Sequence, residues 1–395
     1  MKYLSTFLLA VPALASPYPY LDERQAAASC GIPSGYTPST TDAKLPDPFT
    51  FLNGTKITSK SQWPCRQQEI SALMQKYELG DLPPKPEKVT ATFSGGALKV
   101  TITDGGKSIT MNARITTPSG GKAPYPAIIA IGGSSIPVPA GVATINFEND
   151  NMAAQQNSGS HGTGLFFNLY GKSHSAGALM AWAWGVSRLI DGLELTPGAN
   201  IDTTRLGVTG CSRNGKGAFI VGAFEPRIAL TIPQESGSGG AACWRISDSE
   251  KKAGKNIQTA SQIVGENAWF SPNFNSWTSK VTQLPFDHHM LAALTVPRGL
   301  FPVENDIDWL GPVSTTGCME VGQTIYKAWG APESFGFSLV GGHNHCQFPS
   351  SQQSDLTAFI QKFLMGSATN PPVVAKSTAN VNLANYYSWS VPTLT

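Results

Sequence analysis

Polar and apolar residues alternate along residues 88–117, and two Gly-Gly pairs interrupt the alternation. A period of two places successive side chains on opposite faces of a β-strand. Glycine pairs are typical of tight turns, because glycine adopts positive φ at little cost. The stretch therefore predicts antiparallel strands joined by short hairpins.

The pattern changes after this hairpin region. Residues 125–133 form a continuous apolar run that ends in glycines, and residues 177–195 carry apolar side chains at helical spacing. Further strands are predicted at 205–210, 228–236, 298–306 and within 334–346, and further helices at 213–225, 286–294, 319–331 and 354–366. Apolar strands that alternate with helices predict an α/β fold with a mainly parallel sheet and helices on both faces.

The first residues have the pattern of a secretory signal. Met1 and Lys2 precede an apolar run that ends at Ala15 in an Ala-x-Ala sequence. The run is too short to cross a bilayer, and no later segment reaches about 18 consecutive apolar residues. We expect a signal peptide over residues 1–15, with further processing to about residue 24 as an option. Residues 25–395 are then expected to form one secreted domain.

Charge and cysteine content narrow the class of protein. The chain has 28 Lys and Arg residues against 26 Asp and Glu, with no basic tract. Neither nucleic acid nor an anionic membrane surface is therefore expected as a partner. Secretion favours disulfides, and the six cysteines show no C-x-x-C spacing that would indicate zinc or redox chemistry. Asn53, in an Asn-Gly-Thr sequence, is a predicted glycosylation site.

The sequence VTGCSRNGKGA at residues 208–218 has two interpretations. It nearly matches a phosphate-binding loop, but Gly217 occupies the place where that loop needs Ser or Thr to bind Mg²⁺. Alternatively, Ser212 lies between a strand and a helix, where the nucleophile of α/β-hydrolases lies. The match to G-x-S-x-G is imperfect, because Gly215 comes one place late and Arg213 follows the serine. An ordinary helix N-cap is a further interpretation of Ser212.

A serine nucleophile needs a base that accepts its proton, and in this fold the base follows the last strand. His343 and His345 follow the strand predicted within residues 334–346. His288 and His289 lie on a short predicted helix, and we interpret them as structural.

Two cysteines help to distinguish between the two candidate histidines. Cys211 is next to Ser212, and Cys346 is next to His345. Contact between Ser212 and His345 would bring both cysteines close enough to bond. We therefore predict that His345 is the base and that His343 packs within its loop.

The third member of a triad orients the imidazole. Candidates at strand ends are Glu235 and a second group, Glu304, Asp306 and Asp308. Position alone leaves this choice open. For the oxyanion of the tetrahedral intermediate, the backbone N–H and the guanidinium of Arg213 are candidate donors, and residues 131–137 could supply another.

Four segments together resemble the fungal glucuronoyl esterases: VTGCSRNGKGA, IPQESGSGGAACWR, DWLGP and GGHNHC. These enzymes cleave the ester between lignin alcohols and 4-O-methyl-glucuronic acid on xylan. The likeness extends through nearly the whole mature chain. The block G-C-S-R-x-G-K-G is specific, because both its late glycine and its arginine depart from ordinary esterases. The resemblance implies a catalytic triad of Ser212, Glu235 and His345 in an α/β-hydrolase domain.

The resemblance also implies roles for residues that the pattern alone does not single out. Arg213 would stabilise the oxyanion, and Lys216, Gln258, Glu266 and Trp309 would contact the sugar. The implied disulfides are Cys30–Cys65, Cys211–Cys346 and Cys243–Cys318.

The implied function is that of a secreted serine carboxylesterase acting through an acyl-enzyme on esters that link glucuronoxylan to lignin. It would need no cofactor and no metal, and no carbohydrate-binding module is evident. An alternative is another cell-wall esterase of the same fold, such as an acetyl xylan esterase. A non-catalytic wall-binding protein would bind sugar without turnover, but the co-occurrence of Ser212, His345 and an acid disfavours it.

Overall fold

The computed structural model describes residues 30–395, so the predicted signal peptide at residues 1–15 lies outside the described residues. Eleven described strands form one mixed sheet in the order β1-β2-β3-β5-β4-β6-β7-β9-β10-β11, with β8 also paired to β7. The strands are β1 (Lys88–Ser94), β2 (Ala97–Asp104), β3 (Lys107–Thr116), β4 (Tyr125–Ile131), β5 (Ala143–Phe147), β6 (Ile201–Cys211), β7 (Ile228–Gln234), β8 (Gly299–Leu300), β9 (Val303–Glu304), β10 (Phe337–Leu339) and β11 (Ala375–Ser377).

Helices connect the strands and cover the sheet. They are α1 (Trp63–Met74), α2 (Asn149–Met152), α3 (Leu165–Tyr170), α4 (Ala178–Glu194), α5 (Arg213–Phe224), α6 (Trp244–Lys252), α7 (Ala260–Glu266), α8 (His289–Thr295), α9 (Pro312–Trp329) and α10 (Gln353–Phe363). Side chains of β4 alternate between two apolar clusters. Ile129 packs in the cluster that contains α4, α5 and α8, and Ile128 in the one that contains α10. Because both faces are covered, the predicted α/β fold is confirmed.

The predicted hairpin region is antiparallel, as expected. Strands β1, β2 and β3 pair with one another in that order. All four glycines of the two turns have positive φ, between 53° and 78°. Strand β5, which the sequence pattern did not predict, joins the two halves of the sheet, because it pairs antiparallel with β3 and parallel with β4.

Two of the predicted elements differ more than the others from their bounds in the structure. The strand expected at 298–306 consists of two short strands, β8 and β9, separated at Pro302. Proline has no N–H to donate to a sheet, which accounts for the interruption. Helix α9 begins at Pro312, seven residues before its predicted start. Proline is well suited to the first turn of a helix, where its missing N–H has no intrahelical partner.

Among the described residues, all six cysteines form disulfides, in the pairs Cys30–Cys65, Cys211–Cys346 and Cys243–Cys318. These are the pairs that the resemblance implies. The tail after Gly366 is ordered: β11 pairs with β10, and the N–H of Thr395 donates to the Thr58 carbonyl. Asn53 is exposed, and its glycosylation stays a prediction. Across residues 30–395, no helix is both long and apolar enough to cross a membrane.

Candidate active site

Ser212 occupies the sharp turn between the end of β6 and the start of α5. Its backbone has φ 60° and ψ −123°, a conformation that non-glycine residues rarely adopt. Such strain is characteristic of the turn that exposes a nucleophilic serine above an α/β sheet. The Ser212 N–H donates to the Gln234 carbonyl at 2.9 Å, which fixes the turn against β7. Its hydroxyl makes no capping bond to α5, so the N-cap interpretation is not supported.

Two glycines allow the close packing of this turn. A Cβ on Gly210 would lie 2.4 Å from a backbone oxygen of α5, and one on Gly215 would lie 2.3 Å from the Gln234 carbonyl oxygen. Both distances are too short for any side chain. The second glycine is at residue 215, one place later than in G-x-S-x-G, because residue 215 is where α5 packs directly against the end of β7.

His345 lies beside a buried carboxylate. Its Nδ1 is 2.7 Å from Glu235 Oε2, and the backbone N–H of Cys346 donates to the same oxygen at 2.9 Å. Glu235 is 1% exposed, whereas the His345 side chain is 30% exposed. Since the carboxylate accepts from Nδ1, Nε2 is left free to take a proton from a nucleophile. Of the candidate acids, Glu235 is thus the one that orients this imidazole.

The second candidate group of acids has a different environment. Glu304 is buried, and its Oε1 accepts from the Ser236 N–H at 3.0 Å and from the Ser236 hydroxyl at 2.7 Å. Burial raises the pKa of Glu304 to about 7. Asp306 and Asp308 are exposed. None of the three acids is bonded to a histidine in the described residues.

His343 packs within its loop, as predicted. Its Nε2–H donates to the Val340 carbonyl at 3.0 Å, and its Nδ1 accepts from Asn305 Nδ2 at 3.2 Å. The same Asn305 amide lies 3.4 Å from Glu235 Oε2 and 3.2 Å from the His343 carbonyl. Asn305 therefore ties the acid to the histidine loop. Sequence reasoning missed it, although it follows Glu304 in a segment already under consideration.

The disulfide between Cys211 and Cys346 joins the serine turn to the histidine loop. Its Cα atoms are 5.8 Å apart. Ser212 and His345 are not hydrogen-bonded to each other in the described residues, and such bonds often tighten only when substrate binds. The two sulfurs, Glu235 and His345 present ligand-type atoms within 4.8 Å of one another. Sulfurs bonded to each other are not thiolate ligands, so this group does not form a thiolate metal site.

The sugar-contacting residues implied by the resemblance lie together beside the histidine. The Trp309 ring meets the His345 ring edge-on, with centroids 4.8 Å apart. The backbone N–H of Gln258 donates to the Trp309 carbonyl at 3.2 Å. Gln258 Nε2 in turn donates to Glu266 Oε2 at 3.4 Å. The segment 258–266 and the turn that carries Trp309 thus form one polar wall with an aromatic face.

Two cations from α5 complete the site. Lys216 is 3% exposed, and its Nζ donates to the Ser236 carbonyl at 2.5 Å. Burial lowers the pKa of Lys216 to about 8, although nearby carboxylates oppose the shift. Arg213 is exposed, and both cations lie over the ring of Trp269. Sequence reasoning did not single out Trp269.

Comparisons with known proteins agree on one family. The sequence model described as "Glucuronyl esterase, fungi" matches residues 100–330. The chain is 58% identical over 398 residues to a 4-O-methyl-glucuronoyl methylesterase of Neurospora crassa, with 100% of both chains covered. It is 57% identical over 401 residues to one of Thermothelomyces thermophilus, again with 100% of both covered.

Solved structures agree with the sequence relatives. The glucuronoyl esterase of Sporotrichum thermophile is 59% identical and superposes with a TM-score of 0.90, covering 92% of this chain and 99% of that one. A Ser-to-Ala mutant of that esterase, in complex with methyl 4-O-methyl-β-D-glucopyranuronate, gives the same values. A glucuronoyl esterase of Caldicellulosiruptor kristjansonii is 31% identical, with a TM-score of 0.78 over 91% of this chain and 100% of that one.

Proposed function

The chain belongs to the fungal glucuronyl esterase family, and we propose that it hydrolyses esters of 4-O-methyl-D-glucuronic acid. The natural substrates would be the esters that join glucuronoxylan to lignin alcohols. The observation that carries the proposal is the bond between His345 Nδ1 and Glu235 Oε2, on a loop tethered by a disulfide to the Ser212 turn.

The reaction would proceed in two halves through an acyl-enzyme. Ser212 Oγ attacks the uronate ester carbonyl while His345 Nε2 takes the hydroxyl proton, and Glu235 stabilises the imidazolium that forms. The tetrahedral intermediate collapses, and His345 gives the proton to the departing alcohol. Water, activated by the same histidine, then attacks the acyl-enzyme and releases glucuronate and Ser212.

The oxyanion of each tetrahedral intermediate would be stabilised from α5. The first N–H groups of a helix have no intrahelical acceptor, and the Arg213 N–H comes directly after the nucleophile. The Arg213 guanidinium would add a second, charged donor. No metal is needed for this step, because the donors supply the positive potential.

The sugar ring would lie against the wall beside His345. Trp309 offers an aromatic face for the apolar side of the ring, while Gln258 and Glu266 offer hydrogen-bonding groups. Lys216 is one turn of α5 from Ser212 and has further donor capacity on Nζ. These residues would select for the uronate and place its ester beside the nucleophile.

The enzyme would act outside the cell. The apolar N-terminal segment and the three disulfides support secretion, because disulfides persist in oxidising surroundings.

Hydrolysis of benzyl glucuronate, methyl glucuronate and acetylated xylan by the purified protein tests the proposal. We expect turnover of both glucuronate esters, little release of acetate, and no turnover by Ser212→Ala. Release of acetate in preference to glucuronate would instead indicate an acetyl xylan esterase.

A further inference from the structure

The ring of Trp269 lies under both cations of the active site. Its centroid is 5.7 Å from Arg213 Cζ and 5.5 Å from Lys216 Nζ. Trp269 is 5% exposed, so its ring is a wall of the site rather than a mobile surface group. Cations are attracted to the electron-rich face of an indole, and more strongly where water is excluded.

Arg213 contacts the Trp269 ring through its guanidinium. It is exposed, and in the described residues its guanidinium makes no hydrogen bond and no ion pair. A long side chain held by nothing would sample many rotamers. The indole face of Trp269 is the fixed group against which this guanidinium rests.

The Trp269 ring is itself held by a buried amide, which an exposed carboxylate holds in turn. Its Nε1–H donates to Gln155 Oε1 at 2.6 Å, and Gln155 is 4% exposed. Gln155 Nε2 donates in turn to Asp150 Oδ1 at 2.7 Å. The bond to Asp150 restrains the Gln155 side chain, and the bond to Gln155 restrains the Trp269 ring.

The backbone of Trp269 is held by the start of α4. The N–H of Ala178 donates to the Ala268 carbonyl at 2.9 Å, and the N–H of Leu179 donates to the Trp269 carbonyl at 3.1 Å. A Cβ on Gly177 would lie 2.3 Å from the Trp269 carbonyl oxygen, so the two segments pack in direct contact. Both the main chain and the ring of Trp269 are therefore fixed to the body of the fold.

We infer that Trp269 is a positioning residue, whose indole face holds the Arg213 guanidinium where the oxyanion develops and keeps Lys216 in the sugar cleft. The inference rests on the proposed function, in which Arg213 is an oxyanion donor. Preorganised donors stabilise a transition state because they need no reorientation when charge develops. A guanidinium freed from its platform would have to be ordered during each turnover.

The test is a double-mutant cycle with methyl glucuronate as substrate. Arg213→Ala is expected to lower kcat roughly 10²-fold to 10³-fold. Trp269→Leu is expected to lower kcat roughly 10-fold to 100-fold with a smaller change in KM, because misplacement of a catalytic group costs rate. In the Arg213→Ala background, Trp269→Leu should lower kcat by less than about threefold, since the group that it positions is absent.

Two further variants separate positioning from general structural damage. Trp269→Phe keeps an aromatic face and should restore most of the kcat that Trp269→Leu loses. Trp277→Leu is the matched control, because Lys280 Nζ lies 4.6 Å from the Trp277 ring centroid and the ring packs edge-on against Tyr77, and neither partner is a proposed site residue. This control should leave kcat unchanged.

Independent losses in the two single variants, which multiply in the double variant, would overturn the inference. So would a Trp269→Leu variant with the parental kcat. If Trp269→Leu does not fold, Gln155→Leu removes the hydrogen bond of the indole, and its kcat loss must likewise depend on Arg213. Failure of the parent protein to hydrolyse methyl glucuronate would refute the proposed function instead, so the two failures are distinguishable.

Discussion

Cys211 and Cys346 are bonded to each other, and each is the chain neighbour of a proposed triad residue. The bridge closes a sequence separation of 135 residues, for which chain entropy gives up to about 4–5 kcal/mol of stabilisation. It also sets where the His345 loop lies against the Ser212 turn. Replacing both cysteines with alanine should therefore lower kcat as well as the melting temperature.

The disulfide Cys243–Cys318 supplies the control for this experiment. It lies between α6 and α9, and neither cysteine is next to a triad residue. Its double alanine variant should lower the melting temperature but keep kcat close to the parental value. If both double variants lose only stability, the Cys211–Cys346 bridge does not position the catalytic groups.

Ser212 and His345 are expected to act as one unit. Each alanine substitution should lower kcat by about 10⁴-fold or more, and the double variant should lose little beyond that. His343→Ala should keep most of the activity, because His343 bonds to Val340 and Asn305. Steady-state kinetics on methyl glucuronate measures all four proteins. An inactive His343→Ala beside an active His345→Ala would mean that the base is misassigned.

The choice of acid is tested by amide substitutions. Glu235→Gln should lower kcat strongly, because a neutral amide neither stabilises the imidazolium nor enforces the tautomer with hydrogen on Nδ1. Asp306→Asn should have little effect, since Asp306 is exposed and bonds to neither histidine in the described residues. The reverse order of kcat values would place the acid in the segment that follows β9.

Glu304 should make the folding stability depend on pH. Its folded-state pKa is raised to about 7, so ionisation of this buried group opposes folding. The stabilisation that comes from the protonated Glu304 carboxyl is fully present below the ordinary pKa of the group. It is lost as pH rises through about 7. The neighbouring Lys216, with its pKa lowered to about 8, acts in a separate window, where stability rises with pH above about 8.

Melting temperatures of the parent and of Glu304→Gln between pH 5 and pH 8 check this expectation. The parent should lose several degrees relative to the variant across that range, because the amide cannot ionise. A temperature difference that does not change with pH would show that Glu304 does not titrate in this window.

The polar wall beside His345 should distinguish epimers of the uronate. Glucuronate and galacturonate differ in the direction of one hydroxyl, and a site that bonds that hydroxyl leaves its own groups unpaired with the wrong epimer. We expect kcat/KM for the methyl ester of galacturonate to be at least about 100-fold lower. Glu266→Ala and Gln258→Ala should reduce the ratio of kcat/KM for the glucuronate ester to kcat/KM for the galacturonate ester. Equal rates on both epimers in the parent would indicate a general carboxylesterase.

The sequence was most informative for elements whose structure is determined by a local pattern of residues. Ser212 is recognisable from the strand, turn and helix around it, and the hairpins follow from the Gly-Gly pairs. Helix α1 was missed because Arg66 and Glu69 lie on its buried face, where they form an ion pair that breaks the apolar stripe. Strand β5 was missed because it has only five residues.

The site depended more on tertiary contacts. Glu235 could not be chosen over Glu304 from position alone, because Glu235 directly follows β7 and Glu304 ends β9, at the same edge of the sheet. Only the direction of each side chain decides between them, and the family resemblance supplied that choice before the geometry did. Asn305 and Trp269 act through partners distant in sequence, His343 and Arg213, so no local pattern indicates them.

In the proposed mechanism, Ser212 carries the glucuronoyl group during turnover. Acid-quenching the reaction with benzyl glucuronate, followed by peptide mass spectrometry, tests it directly. We expect a glucuronoyl ester on the peptide that contains Ser212. With Ser212→Ala we expect neither the ester nor release of benzyl alcohol. Release of benzyl alcohol by Ser212→Ala at the parental rate, or a glucuronoyl group on a different residue, would refute the proposed role of Ser212.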